Sequence, residues 1–536
     1  MMTEHKDKKV AKKSNQWDRA QEFARFFGII FNNALRTGET AYFTWLIRSV
    51  LDSDYQAAAG MSMSWRLFLQ SPYLAAAIAT SIVTSFMDGE KIPREKIQQA
   101  LRNGQLIGIF WAILTCQASL FIEQILTLLG QPKKQIEIAG AYFMPGYTLT
   151  LPAMMLTLFN EKYLLGLKGW HFVPALGSQV ISSLLYLLSP YFDKNDMRFR
   201  SMGLGTAAQY WTNFILLEIY MAVVFKIKTS QFKFNKKYFK QILKMFYPLV
   251  AQIVMELATV NIDDMFAGLF GGKIGAMLYS VALPYISLLV ILTLGLADAV
   301  RLLVSSAMGE KNYCRARMWG WGGLAFGTIL AAIIAVVFYI WRDPLAKIFL
   351  SSDVQETIVT LAGWLVFMVG AGNFTDLIRN ISTTLDITIG NTWFPIIINS
   401  ISLALGVSVS ALLGYFLGKN DNRIAAHGVF GGQIVGLTSG ILVILAWIRQ
   451  SITNKAMELT QTVGYWFGLW KRTEKIDAKK EKKEKTDEVI SPTDTETSTG
   501  GNTRRHTFFS SEHKREHRPE PGCFGKMKEY FSCNIL

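Results

Sequence analysis

Residues 85–91 read SFMDGEK and residues 306–311 read SAMGEK. Each stretch closes a long apolar run, and Ser85 and Ser306 stand 221 residues apart. Pro174 and Pro395, which open two further apolar runs, repeat that spacing. Two anchors at one offset predict a duplicated unit. Runs of about 20 apolar residues, the length that crosses a bilayer core, fill both copies. The candidate spans are 23–48, 57–87, 103–129, 140–165, 172–192 and 203–225, then 245–269, 276–308, 318–341, 357–385, 393–417 and 427–448. Arg36 and Glu39 interrupt the first. Each copy holds an even number of spans, so both point the same way, and a transport site is expected between them near mid-depth. The expected fold is an all-α integral membrane protein with twelve transmembrane helices in two pseudo-symmetric six-helix lobes.

Composition agrees. Hydrophobic residues make up 51% of the 536 and charged residues only 18%, against about 25% in soluble domains. That excludes a soluble enzyme, a fibrous protein and a nucleic-acid binder. The net charge of +15 reads as Lys and Arg collected in cytoplasmic loops. With the N-terminus placed in the cytosol, the inward segments carry 22 Lys and Arg and the outward ones 11, so both termini are expected inside. The organisation that follows is a cytosolic N-tail (1–22), an N-lobe (23–225), a basic connector (226–244), a C-lobe (245–450), an amphipathic segment (451–470) and a disordered cytosolic tail (471–536). The connector holds seven Lys and no acid, which suits anionic headgroups. The tail has too little apolar surface to fold.

Chemistry-bearing motifs are few. The polar N-terminal stretch is no signal peptide. The four cysteines make no disulfide framework, CxxC pair or Cys/His cluster. No phosphate-binding loop or nucleophile elbow is present, so neither enzyme activity, cofactor, metal nor ATP-driven transport is expected. Asn373-Phe-Thr375 and Asn380-Ile-Ser382 spell glycosylation acceptors but fall inside an apolar run. The chain closes on Cys533-Asn-Ile-Leu536, a form that favours geranylgeranyl transfer by a prenyltransferase of the cell or of a host. Lys526 and Lys528 lie upstream, and Cys523 is placed to take a palmitoyl chain.

Charges inside a bilayer are expensive and are paired or functional. The acids at plausible depth are Glu39, Glu256, Asp263, Asp264, Asp298 and Asp376. Arg36–Glu39, Asp298–Arg301 and Asp376–Arg379 are spaced i, i+3 and share a helix face, so each is a candidate for mutual neutralisation. Asp263 and Asp264 fall near the outer end of span seven, where solvation is expected. Arg66 and Glu218 read as bundle residues. Asp376 lies about 15 Å inside span ten and Glu256 about 18 Å inside span seven by the helical rise. No Lys or Arg lies within a turn of Glu256, and an unpaired carboxylate in a low-dielectric site takes up a proton readily. The many aromatics suit interfacial belts and, in a cavity, cation–π contacts.

Several short stretches carry a family likeness. They are Leu151-Pro-Ala153 with Lys162-Tyr-Leu-Leu165, Pro248 with Glu256 and then Ala267-Gly268, Gly295-Leu296 with Ala307-Met-Gly309, Asp376 ahead of Gly390-Asn391, and His427-Gly-Val-Phe-Gly-Gly432. In this order the chain resembles the multidrug and toxic compound extrusion (MATE) transporters of the polysaccharide-flippase superfamily, the eukaryotic-type branch above all, over roughly residues 24–450. It departs from the family pattern at Asp386 and Leu303, where the family has Arg, and at Asn160, where Gln is common. The resemblance implies a secondary antiporter that exports organic cations or xenobiotics in exchange for protons or sodium by alternating access. Its coupling and substrate residues would be Glu256, Asp376 and Glu39, with Asn160, Asn261, Asp263, Asp298 and Arg379 as cavity candidates. The implied partners are a small, cationic organic substrate, the coupling ion and membrane lipids, around a monomer in the plasma membrane or an endomembrane. A lipid or lipid-linked saccharide flippase and a non-transporting scaffold stand as alternatives.

Overall fold

In the computed structural model, which describes residues 20–36, 38–39, 42, 53–128, 133–188, 198–225, 234–350, 355–390 and 392–438, every regular element is a helix. Helix α1 covers residues 20–36 and α2 covers Ser53–Gly89. Helix α3 (Arg94–Leu120) bends by 63° into the short α4 (Ile122–Leu128). Helix α5 (Lys133–Phe143) runs through a π turn at Met144–Thr148 into α6 (Leu151–Gly166). The wider turn falls at Pro145, which cannot donate an i→i−4 hydrogen bond. Helices α7 (Phe172–Leu188) and α8 (Arg198–Phe225) complete the first half. A single helical run, α9 (Lys236–Gly309), is broken at Gly272 into α9a (Lys236–Gly272) and α9b (Ile274–Gly309). Gly272 has φ 58° and ψ −147°, a region only glycine enters readily. Then follow α10 (Tyr313–Ile340), the short α11 (Arg342–Phe349), α12 (Glu356–Thr388), α13 (Trp393–Asn420) and α14 (Ala425–Leu437).

With α3–α4, α5–α6 and α10–α11 counted as one span each, six spans precede the connector and six follow it. This is the expected pair of six-helix lobes. Helical structure begins within the connector. Asn235 caps α9 by accepting from the Lys237 N–H (3.0 Å), so the helix starts at Lys236 and not at 245. On α10, Ile329, Ile333, Val336 and Ile340 form one stripe, each more than half exposed. Such a stripe is a lipid face. By length and apolarity, α9a, α9b, α10, α12 and α13 cross a membrane unaided, and the α3–α4 pair does so as one bent span. The N-lobe is more polar; α6 buries both Glu161 and Lys162.

The duplicated motif sits where the two lobes touch. The turns after α2 and α9b are superimposable hydrogen bond for hydrogen bond. Lys91 N donates to Asp88 O (3.1 Å) and Ile92 N to Met87 O (3.0 Å); Lys311 N donates to Met308 O (2.9 Å) and Asn312 N to Ala307 O (3.0 Å). This double closure ends a helix through a left-handed residue, and Lys91 and Lys311 take φ of 57° and 59°. The structural offset at this turn is therefore 220 residues. The Ser-x-Met match at 221 is out of step by one: at 220 Ser85 falls on Ser305 and Gly89-Glu-Lys91 on Gly309-Glu-Lys311, with no gap. The contact is reciprocal. A Cβ on Gly89 would overlap the Ser306 carbonyl, and one on Gly309 would overlap the Phe86 carbonyl.

That contact yields a prediction. Gly89→Ala or Gly309→Ala should each cost about 1–3 kcal/mol by overpacking, seen as a lower thermal unfolding temperature of the detergent-solubilised protein. Gly322→Ala, where an added Cβ meets nothing, should leave it unchanged.

Candidate functional site

In the C-lobe, three predicted residues converge. Arg379 of α12 is buried between two carboxylates. Its Nη1 donates to Glu256 Oε1 of α9a (2.8 Å), and its Nη2 donates to Asp376 Oδ1 (2.7 Å). Asn380 Nδ2 also donates to Asp376 Oδ1 (3.0 Å), and Gln252 Nε2 to Glu256 Oε1 (3.1 Å). The expected Asp376–Arg379 pairing is present. Glu256, however, is not unpaired: its partner lies 123 residues away on another helix, beyond the reach of a search along one turn. With all three groups ionised, the cluster carries one net negative charge. Asn373 and Asn380 are buried in the same helix.

The N-lobe repeats this geometry with its polarity exchanged. Arg36 of α1 pairs with Glu161 of α6, and Asn32 Nδ2 donates to the other carboxylate oxygen (2.6 Å). Arg36 and Glu256 are 220 residues apart, the offset of the superimposable turns. One lobe thus places a guanidinium on its first helix and a carboxylate on its fourth; the other does the reverse. Since Glu161 takes Arg36, the expected Arg36–Glu39 pair gives way. Glu39 accepts instead from Gln179 Nε2 (2.9 Å) and from Ser183.

A third cluster joins the lobes. Lys162 of α6 pairs with Asp298 of α9b, which also accepts from Arg301 Nη1 (2.7 Å). Arg301 Nη2 reaches Thr384 Oγ1 of α12 (3.3 Å). Asp298–Arg301 was legible from spacing. Lys162 was not, because it falls at the end of an apolar run and reads as a loop lysine; only 3% of it is exposed. Toward the superimposable turns, Lys168 pairs with Glu310, and Arg315 pairs with Glu310 (2.5 Å) and with Glu22. Trp319 Nε1 donates to Glu22 Oε2 (3.2 Å).

Beside these clusters lies a cavity of about 190 Å³. Its charged lining is Arg36, Glu39, Arg66, Lys162 and Asp298, and its aromatic lining is Tyr73, Tyr142, Tyr186 and Tyr210. Ile291 and Leu294 of α9b close one wall. Glu256, Asp376 and Arg379 stand outside this lining. So does Asn160, fully buried, which accepts from Gln105 Nε2 (3.1 Å) and donates to Glu218 Oε1 (2.8 Å). Asn261 is exposed and donates to the Leu257 carbonyl of its own helix (2.8 Å). Asp263 is not a solvated end residue. It is fully buried beside Ser410, whose hydroxyl donates to the Val429 carbonyl (2.8 Å). Helix α9a runs nine residues beyond it, and α13 and α14 pack over it. Asp386, where the family pattern has Arg, is buried with neither oxygen hydrogen-bonded. Cys523 and Cys533 lie outside the described residues. No group of three His, Cys, Asp or Glu side chains able to hold a metal occurs among the described residues.

Removing one member of a buried ion pair strands the other, at about 3–5 kcal/mol. Arg379→Gln should therefore destabilise the protein by that order in thermal unfolding. Adding Glu256→Gln to Arg379→Gln should recover part of the loss, since it removes one of the two facing carboxylates. Equal unfolding temperatures for the wild type and Arg379→Gln would show that the cluster holds nothing together.

The arrangement of two lobes around a central cavity has close parallels. The MatE family model matches twice, at residues 29–176 and 248–409, once in each lobe. Multidrug resistance protein NorM of Aliivibrio fischeri is 26% identical over 334 residues, 60% of this chain and 67% of that protein. Protein DETOXIFICATION 17 of Arabidopsis thaliana is 24% identical over 421 residues, 73% of this chain and 86% of that protein. Among solved structures, the eukaryotic MATE transporter AtDTX14 superimposes with a TM-score of 0.68 at 17% identity, over 83% of this chain and all of that one. A superfamily transporter of Pyrococcus furiosus, described as having a binding pocket of reverse polarity, gives 0.69 at 14% identity, over 81% of this chain and 96% of that one. With its family matches covering more than half its length and one falling in each lobe, the chain belongs to the MATE family: it is a multi-pass integral membrane transporter and not an enzyme.

Proposed function

We propose that the protein is a secondary antiporter that exports small organic cations and xenobiotics from the cytosol in exchange for protons or sodium. The observation that carries this reading is Arg379 held between Glu256 and Asp376. Two carboxylates against one guanidinium leave a single negative charge in a low-dielectric interior, where charge imbalance is costly. One proton or one sodium ion neutralises it, so the cluster is built to gain and lose one cation. Binding loosens the hold of Glu256 on Arg379 and so changes how α9a packs on α12. Helix α9b continues from α9a and forms a wall of the cavity, which gives the ion a route to the substrate. In the cavity, Arg36 and Lys162 are cancelled by Glu161 and Asp298. Glu39, whose described hydrogen-bond partners are the neutral Gln179 and Ser183, offers a carboxylate to a substrate cation. The Glu22, Lys168, Glu310 and Arg315 ion pairs tie the lobes together and must part for the lobes to rock. The relatives' names support the multidrug part of the reading.

In proteoliposomes loaded with a fluorescent organic cation, an imposed proton or sodium gradient should drive exchange. Glu256→Gln should reduce that exchange to background and Asp376→Asn should reduce it at least tenfold, both at wild-type expression. Unchanged, gradient-dependent exchange in Glu256→Gln would remove the cluster from the mechanism. The same reading places both termini in the cytosol and a geranylgeranyl chain on Cys533. Terminal tags should resist protease in sealed cells, and an isoprenoid reporter should label the wild type but not Cys533→Ser; a tag cleaved from outside, or equal labelling, refutes the corresponding part.

A further inference from the structure

The cavity holds one cation that the preceding account leaves unused. Arg66, on α2, lines it together with Tyr142 and Tyr210. Its Nη1 donates to the Tyr142 hydroxyl (3.0 Å) and its Nη2 to the Tyr210 hydroxyl (3.2 Å), and its Cζ lies 5.8 Å from the centre of the Tyr210 ring. Both hydrogen-bond partners are neutral. Among the described residues no carboxylate comes within ion-pairing distance of Arg66. This distinguishes it from the other cavity cations: Arg36 has Glu161, and Lys162 has Asp298. A guanidinium that lines a cavity in a membrane bundle and whose described partners are all neutral is suited to take a counter-charge from a ligand. What it lacks is an oxyanion, which its planar fork of N–H donors fits in two-point fashion. The Tyr210 hydroxyl accepts from Arg66 and its side chain lines the same cavity.

We propose that Arg66, Tyr142 and Tyr210 form an oxyanion subsite in this cavity, taking the carboxylate or phosphate end of an amphipathic organic substrate. The proposal rests on the reading of the cavity as the substrate site. It adds that the substrate presents negative charge to Arg66 of α2 and positive charge to Glu39. The tyrosine-rich lining accommodates an aromatic body between them.

The test is isothermal titration calorimetry on the detergent-solubilised full chain with probes of one skeleton: 2-naphthoate, 2-naphthyl phosphate and 2-naphthylmethylammonium. The expected result is that an oxyanion probe binds the wild type and that Arg66→Gln weakens it at least tenfold. Arg66→Lys, which keeps the charge and loses the fork, should weaken it less. The ammonium probe should change less than twofold in either variant. Dihexanoyl phosphatidate is the arm that separates sources: if it binds through Arg66 and the naphthyl oxyanions do not, the same subsite serves a lipid headgroup. Failure of every oxyanion to bind, or oxyanion affinity equal in the wild type and Arg66→Gln, overturns the proposal. If Arg66→Gln does not fold, as judged by gel filtration and unfolding temperature, the comparison passes to Arg66→Lys and Tyr210→Phe. No gradient enters this measurement, so loss of ion-coupled exchange with oxyanion binding intact would sink the antiport reading alone.

Discussion

A charge inside a membrane bundle needs a counter-charge, and here the helices supply it mostly across the bundle. Asp298 is the junction. It receives Lys162 from the other lobe and Arg301 from its own helix, and Arg301 in turn reaches Thr384 of α12. Three helices, α6, α9b and α12, are thereby fixed in register by groups that have nowhere else to go. Burying such groups contributes little net stability compared with apolar packing of the same volume, yet misplacing any one of them is heavily penalised. The ion clusters therefore select one arrangement of the helices, while the apolar contacts supply the cohesion. Apolar packing alone would allow the same helices to slide or rotate against one another.

The two lobes share a backbone and differ in charge. Their α2 and α9b turns match bond for bond, down to a left-handed lysine in each. At equivalent places on their first helices stand Arg36 and Glu256. The N-lobe pair is neutral, Arg36 with Glu161. The C-lobe sets a second carboxylate against its one guanidinium. The halves differ in what they line and hold: the first forms most of the wall of the cavity, and the second holds a guanidinium between two carboxylates. The polarity of the pair is what distinguishes the halves, since corresponding helices carry it: Arg36 and Glu256 at the common offset, Glu161 and Arg379 two residues away from it.

The architecture was legible in the sequence because a bilayer leaves few options: apolar length fixes spans, and an even number per repeat fixes parallel lobes. Pairs at i, i+3 were legible for the same local reason, and Asp298–Arg301 and Asp376–Arg379 both form. Glu256 shows the limit. Its surroundings along the helix contain no base, but a bundle brings Arg379 to it from 123 residues away, and no periodicity in one helix reports on the next. Lys162 failed for another reason. Lysines at the end of an apolar run usually face water, and only the carboxylate of Asp298 on a neighbouring helix makes burial affordable. Asp263 was misplaced because the end of its helix was drawn too early. The break at Gly272, and not the last strongly apolar residue, ends α9a. The one-residue slip in the repeat came from matching side chains where the backbone hydrogen bonds keep a different register.

That break has a bearing on how the protein is made. Helices α9a and α9b reverse direction with almost no loop: the only non-helical residue between them is Gly272, and a Cβ on Gly275 would already overlap the Ala267 carbonyl. Two spans joined so tightly cannot enter a bilayer one after the other with a polar loop waiting between them. Insertion as a single hairpin is the expected consequence of so short a connection. Biogenesis of the second lobe would begin from this preformed pair, around which the remaining four spans collect as they are synthesised.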